Sequence, residues 1–185
     1  MPRTRKPRAG SVQFHTRVRA RESKARIRTW SVSKETKPLG FAGYKVGMTH
    51  VLITDKRQHS LTKNTDIFCP VTVVECPPLK VASLKFYKNA QHGTVLVSEL
   101  LAETVDKELE SKFLASKKKG NVPENFDSVR LMCYTQPKLT GIGKKVPDVF
   151  EIALGGLKDA QLSYGKEKLG KEIAVSEAFK EGQFL

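Results

Sequence analysis

The sequence predicts a mainly β protein: a small antiparallel barrel entered through a basic extended arm, with a mixed helix–strand unit following the first barrel strands. Three observations predict it. Short runs rich in β-branched residues recur between residues 41 and 87, separated by Gly, Pro or polar turns. Eight of the ten arginines lie within the first 28 residues. Beyond residue 93, apolar runs of strand length alternate with runs of helical spacing.

The arm comes first. Residues 1–30 hold ten basic residues and one acid, Glu22, a net +9; the other 23 basic and 18 acidic residues leave +5 of the total +14. A guanidinium is a planar fork that can grip a phosphate through two hydrogen bonds and stack on a base, whereas an ammonium is a hydrated point charge. An arginine-selecting segment therefore predicts a nucleic-acid partner. Arg17, Arg19 and Arg21 alternate, so an extended chain sets them about 7 Å apart on one side, near the spacing of successive phosphates. Arg26 and Arg28 repeat the pattern and lead to Trp30. Its indole either stacks on a base or anchors the arm to the barrel, and Phe14 and His15 pose the same choice. Pro2, Pro7 and Gly10 keep the start extended. With few apolar side chains and strong self-repulsion, residues 1–37 are expected to order only on a partner. An anionic membrane is the weaker reading. Val12, Phe14, Val18, Ile27 and Trp30 make no continuous apolar stripe, and no window approaches the roughly 20 apolar residues of a membrane span.

The elements then follow in order. Pro38 and Gly40 punctuate the entry. Gly43 and Gly47 mark bends, Val51–Ile53 reads as a strand, and Asp55–Gln58 as a polar tip, with 58–66 loop-like. Val71–Cys76 is a strand ended by Pro77 and Pro78, and Val81–Tyr87 is another that alternates in part. Leu96–Leu101 fits strand or helix. Val105–Ser116 predicts a helix with Val105, Leu109, Phe113 and Leu114 on one face. Val129–Tyr134 and Val149–Leu154 are strands, Leu157–Leu169 a helix weakened by Gly165, and Ile173–Phe179 is ambiguous.

Chemistry is sparse. Cys69, Cys76 and Cys133 are odd in number and match no zinc spacing, and no secretory signal precedes them; they read as reduced thiols in a cytosolic protein. His15, His50, His59 and His92 form no metal-ligand pattern. Gly141-Ile-Gly-Lys-Lys145 fails as a phosphate loop, because Lys138 stands where the first glycine is needed and Lys145 where Ser or Thr is needed. It is a basic loop that either touches a nucleic-acid backbone or lies idle in solvent. Glu103, Asp106, Glu108 and Glu110 read as a solvated face. No catalytic, metal or cofactor constellation is present, so an enzyme is not expected.

At residues 39–55 the run Leu-Gly-Phe-Ala-Gly-Tyr-Lys-Val-Gly-Met-Thr-His-Val-Leu-Ile-Thr-Asp resembles the opening signature of the universal large-subunit ribosomal protein three family. Its core is Gly43-Tyr-Lys-Val-Gly-Met-Thr49. Pro7-Arg-Ala-Gly-Ser11, Arg26-Ile-Arg-Thr-Trp30 and Pro70-Val-Thr-Val-Val-Glu-Cys-Pro-Pro78 resemble the archaeal and eukaryotic form. Weaker similarity runs through Lys144–Asp148, Gly155-Gly156 and Ala178–Gly182. The resemblance implies a six-stranded barrel of the translation-protein type with an α/β insertion and RNA-bound extensions. It also implies a long basic loop, beyond the stretch like Phe179–Leu185, that reaches toward the peptidyl-transferase centre. That loop falls outside this sequence, so an N-terminal half or truncated form with an incomplete barrel is expected.

The expected organisation is an arm over 1–38, the first part of the barrel over 39–92, the α/β insertion over 93–170 and a return toward the barrel over 171–185. The expected function is a cytoplasmic structural constituent of the large ribosomal subunit that binds its ribosomal RNA and supports assembly and translation. Neighbouring ribosomal proteins are partners, and no membrane, cofactor or small-molecule substrate is involved. A free-standing RNA- or DNA-binding module, such as an assembly factor, is the alternative. The expected RNA-binding residues are Arg3, Arg5, Lys6, Arg8, His15, Arg17, Arg19, Arg21, Lys24, Arg26, Arg28, Trp30, Lys45, Lys144 and Lys145.

Overall fold

A computed structural model describes residues 22, 24–109 and 120–183. The protein is mainly β, and both of its sheets are antiparallel. Strand β1 (Tyr44–Thr54) pairs with β2 (Asp66–Glu75) as a two-stranded ribbon. Strands β3 (Leu79–Ala90), β4 (Gly93–Leu101), β5 (Ser128–Tyr134) and β6 (Val149–Ala153) form a second sheet in the order β4-β3-β5-β6. The short β7 (Glu172–Ile173) joins β3 at Leu79 and Lys80.

The ribbon's turn is set by one carboxylate. Asp55 is buried and accepts hydrogen bonds from the Arg57 backbone N–H (3.0 Å), the Arg57 guanidinium (3.0 and 3.1 Å) and the Thr62 hydroxyl (2.7 Å). The Arg57 side chain, helped by the hydroxyls, holds this acid well below the usual carboxylate range. Asn64 takes the left-handed conformation that closes the turn, and its N–H returns to the Asp55 carbonyl at 2.8 Å. At the other end, Gly43 meets the end of β2. A Cβ there would lie 2.6 Å from Val74 Cγ1 and 2.8 Å from the Glu75 carbonyl oxygen. The register slips between Lys45 and Gly47, placing a bulge inside the signature segment.

The core lies on one face of the larger sheet. Leu84 and Phe86 of β3, Val129, Leu131 and Cys133 of β5 and Ile152 of β6 are all buried there. Helix α1 (Lys158–Lys168) covers them through Leu162 and Tyr164. Gly165 lets the helix come close: a Cβ would stand 3.2 Å from both Leu84 methyls. The residue that weakens the helical pattern thus sets the helix-to-sheet distance. Gln161, also buried, accepts from the Val129 N–H (3.0 Å) and donates to the Leu154 (3.1 Å) and Gly156 (3.0 Å) carbonyls, so the helix start has no unpaired amide side chain. Residues 33–39 lie against the end of β6. Gly156 N–H donates to Ser33 O (2.8 Å), Gly155 N–H to Lys37 O (2.9 Å) and Leu39 N–H to Ala153 O (3.0 Å). A Cβ on Gly155 would be 2.3 Å from the Glu35 carbonyl oxygen, so the pair of glycines is a seat for this segment as well as a turn.

As expected of an incomplete barrel, no closed barrel forms among the described residues: β1 and β2 pair only with each other, and the larger sheet ends at β4 and β6. One expectation changes. Residues 105–109 are not helical. Leu109 N–H bonds to Asp106 O (2.9 Å) in a turn, and Val105 and Leu109 pack against Ala82 and Tyr134, so their four-residue spacing serves docking onto β3 and β5. Residues 110–116 of the expected helix lie outside the described residues. Residues 96–101 are strand, and 173–179 divide into β7 and a single helical turn, α2 (Val175–Ala178), whose Glu177 carboxylate accepts from the Ala174 N–H at 3.3 Å.

Candidate nucleic-acid interface

The second face of the larger sheet is charged. Side chains alternate along a strand, so where β3 and β5 send Leu84, Phe86, Val129 and Leu131 into the core, they send Lys85, Tyr87 and Arg130 the other way. Glu151 of β6 joins them. Its carboxylate accepts from Lys85 Nζ (2.8 Å), the Tyr87 hydroxyl (2.9 Å) and the Arg130 guanidinium (3.4 Å). The Arg130 guanidinium lies over the Tyr87 ring at 4.2 Å. Partial burial raises the Glu151 acid, but the bonds from Lys85, Tyr87 and Arg130 outweigh it and hold its pKa below the ordinary value. Burial first, then the bond to Glu151, pushes the Tyr87 phenol up to about 12.

Residues 24–28 cross this face. Between them and the sheet is a cleft of about 590 Å³, lined by Arg26 and Arg28 on one side and by Tyr87, Arg130 and Glu151 on the other. Arg26 and Arg28 are exposed and have no ion-pair partner among the described residues. Lys24 differs: its ammonium donates to the Val149 carbonyl and sits 3.6 Å from Glu22. Lys24 also lines a second cleft of about 430 Å³, shared with Lys45 and Lys144 and reaching the start of β1. There the Tyr44 hydroxyl donates to Thr135 Oγ1 (2.8 Å), and Thr135 Oγ1 accepts from the Asp148 N–H (3.0 Å), tying the ribbon to the larger sheet. Lys144 is ion-paired with Asp148, four residues on.

The expected site residues therefore separate. Lys24, Arg26 and Arg28 meet at the first cleft, and Lys24, Lys45 and Lys144 at the second. Lys145 is exposed and lines neither. Trp30 packs against the core and over Gly40, where a Cβ would be 3.3 Å from its ring, and its indole N–H is buried without a partner among the described residues. Of its two readings, the anchor describes this position. Arg3, Arg5, Lys6, Arg8, His15, Arg17, Arg19 and Arg21 lie outside the described residues. Sequence reasoning missed Lys85, Tyr87, Arg130 and Glu151. Their signal was present: charged residues at alternate positions inside apolar strands.

Among the described residues no group of His, Cys, Asp or Glu could hold a metal, and no helix is long and apolar enough to cross a membrane. The fold and these clefts define a class, a basic antiparallel β protein with the basic residues 24–28 laid over a charged sheet face. Residues 1–124 match the family model for Ribosomal protein L3, and the chain belongs to that family. Curated relatives are called "Large ribosomal subunit protein uL3". The one from Archaeoglobus fulgidus is 43% identical over 97% of this chain, that from Methanobrevibacter smithii 39% over 100%, and that from Picrophilus torridus 41% over 96%. The chain spans 56–58% of the length of these relatives.

Proposed function

We propose that this chain is a structural constituent of the large ribosomal subunit, bound to its ribosomal RNA in the cytoplasm, with neighbouring ribosomal proteins as partners and no catalytic role. One observation carries the reading: about 40% identity to large-subunit proteins across nearly the whole chain. The charge distribution supports it, since the basic excess is concentrated where arginine is selected. The arm residues from Arg3 to Arg28, with Lys45, Lys144 and Lys145, supply phosphate and sugar contacts, and base readout along most of the arm is slight. Trp30 holds the arm to the folded part. The ribbon supplies two strands of a small translation-type barrel. Its face carrying Gly47, Thr49, Val51, Ile53, Ile67, Cys69, Val71 and Val73 is apolar but for Thr49 and suits a barrel interior.

Two measurements test this. Co-sedimentation with large subunits in a sucrose gradient is expected, and its absence counts against the function. Binding to large-subunit RNA should weaken steeply with salt, log K falling by roughly 0.7–0.9 per neutralised phosphate for each unit of log salt. Salt-indifferent binding refutes the arm's role.

A further inference from the structure

The cleft between residues 24–28 and the charged sheet face has a shape that backbone binding alone does not require. We propose that it is a site for one unstacked nucleotide of a single-stranded RNA segment. The proposal rests on the RNA-binding reading and adds a subsite to it. Its volume of about 590 Å³ lies within the roughly 300–1,000 Å³ of small-ligand sites, large enough for a nucleotide and too small for a duplex. Its charge favours an anion: Lys24, Arg26, Arg28 and Arg130 line it against Glu22 and Glu151. Arg26 and Arg28, without ion-pair partners among the described residues, are two residues apart and line the same cleft, so they can bridge one phosphate or two successive ones.

The floor supplies the base platform. Arg130 is fixed twice, by its bond to Glu151 and by its place 4.2 Å over the Tyr87 ring. A guanidinium with one face on a ring has its other face for a second planar group, and unstacked bases settle on arginine planes as on aromatic rings. Met132, Val149 and Phe150 add apolar lining beside it. A lysine in place of Arg130 would keep the charge and lose the plane. Glu151 is thus a positioning residue: it holds Arg130 over Tyr87 and sets its own charge against Lys85 and Arg130.

The test uses the full chain and two RNA probes of equal phosphate count, one single-stranded and one a blunt duplex. Arg26→Lys with Arg28→Lys keeps the charge at exposed positions, where folding is not at stake. Arg130→Lys removes the platform, with a melting curve confirming that the sheet is intact. Each variant is expected to weaken single-stranded binding by about tenfold while duplex binding stays within about twofold. Thiouridine in the single-stranded probe should photocrosslink to residues 26–28 or to Arg130 and its neighbours. If both probes bind but the variants weaken them equally, or crosslinks avoid the cleft, the nucleotide site is wrong and the RNA-binding reading stands. If neither probe binds, both fall.

Discussion

The larger sheet and the ribbon are built from similar residues and come to opposite ends. Leu84, Phe86, Leu131 and Ile152 are 0–2% exposed beneath α1, while Met48, Leu52 and Phe68 of the ribbon are 66, 64 and 71% exposed. Strand propensity, pairing and turn chemistry are satisfied in both. What differs is a covering layer, and a two-stranded ribbon without one is marginal on its own. Backbone pairing therefore sets where strands form, and burial sets which of them are stable.

The sharpest way to break that comparison is to truncate one side chain in each sheet. Leu84→Ala should cost about 3–5 kcal/mol in urea unfolding, by lost transfer energy plus a cavity, and Leu52→Ala less than about 0.5 kcal/mol. Equal costs would mean that the ribbon is buried in solution. Next, Gly155→Val should cost about 2–3 kcal/mol, since its Cβ would meet the Glu35 carbonyl oxygen at 2.3 Å and push residues 33–37 off the end of β6. Protease sensitivity near residue 35 should rise with it.

A smaller effect is expected at the charged face. The folded pKa of Glu151 is held below its ordinary value near 4.5. Its carboxylate therefore stabilises the fold above that pH, and the contribution is lost as pH falls below about 4.5 toward the lowered folded value. Glu151→Gln should flatten this part of the acid-unfolding curve, and an unchanged curve would separate Glu151 from the sheet's stability. Smallest in stability, within about 0.5 kcal/mol, are Leu52→Thr and Phe68→Thr together. They should nonetheless reduce light scattering by the free chain, because they remove apolar surface from an uncovered face.

The sequence made some of this legible for physical reasons. β3 announced itself because Val81–Tyr87 alternates, and β5 and β6 because their apolar runs end in Pro or Gly. Most of the larger sheet's pairing was not legible, since β3 takes β5 and β7 as partners across long separations that no local pattern records. Val105 and Leu109 misled because spacing by four fits a helix face and a turn docked on Tyr134 equally well. At the candidate interface, Arg26 and Arg28 were visible from arginine segregation. Arg130 and Glu151 showed only as charged residues inside apolar strands, because their role depends on the alignment of β3, β5 and β6 that brings both to the Tyr87 ring.

Hydrogen exchange on the free chain and on the chain incorporated into large subunits tests the central claim most directly. The account predicts that β3 and β5 exchange slowly in both states, while residues 44–54 and 66–75 exchange fast when free and slowly once incorporated. Ribbon amides as protected as those of β3 in the free chain, or a chain that does not incorporate at all, would contradict it.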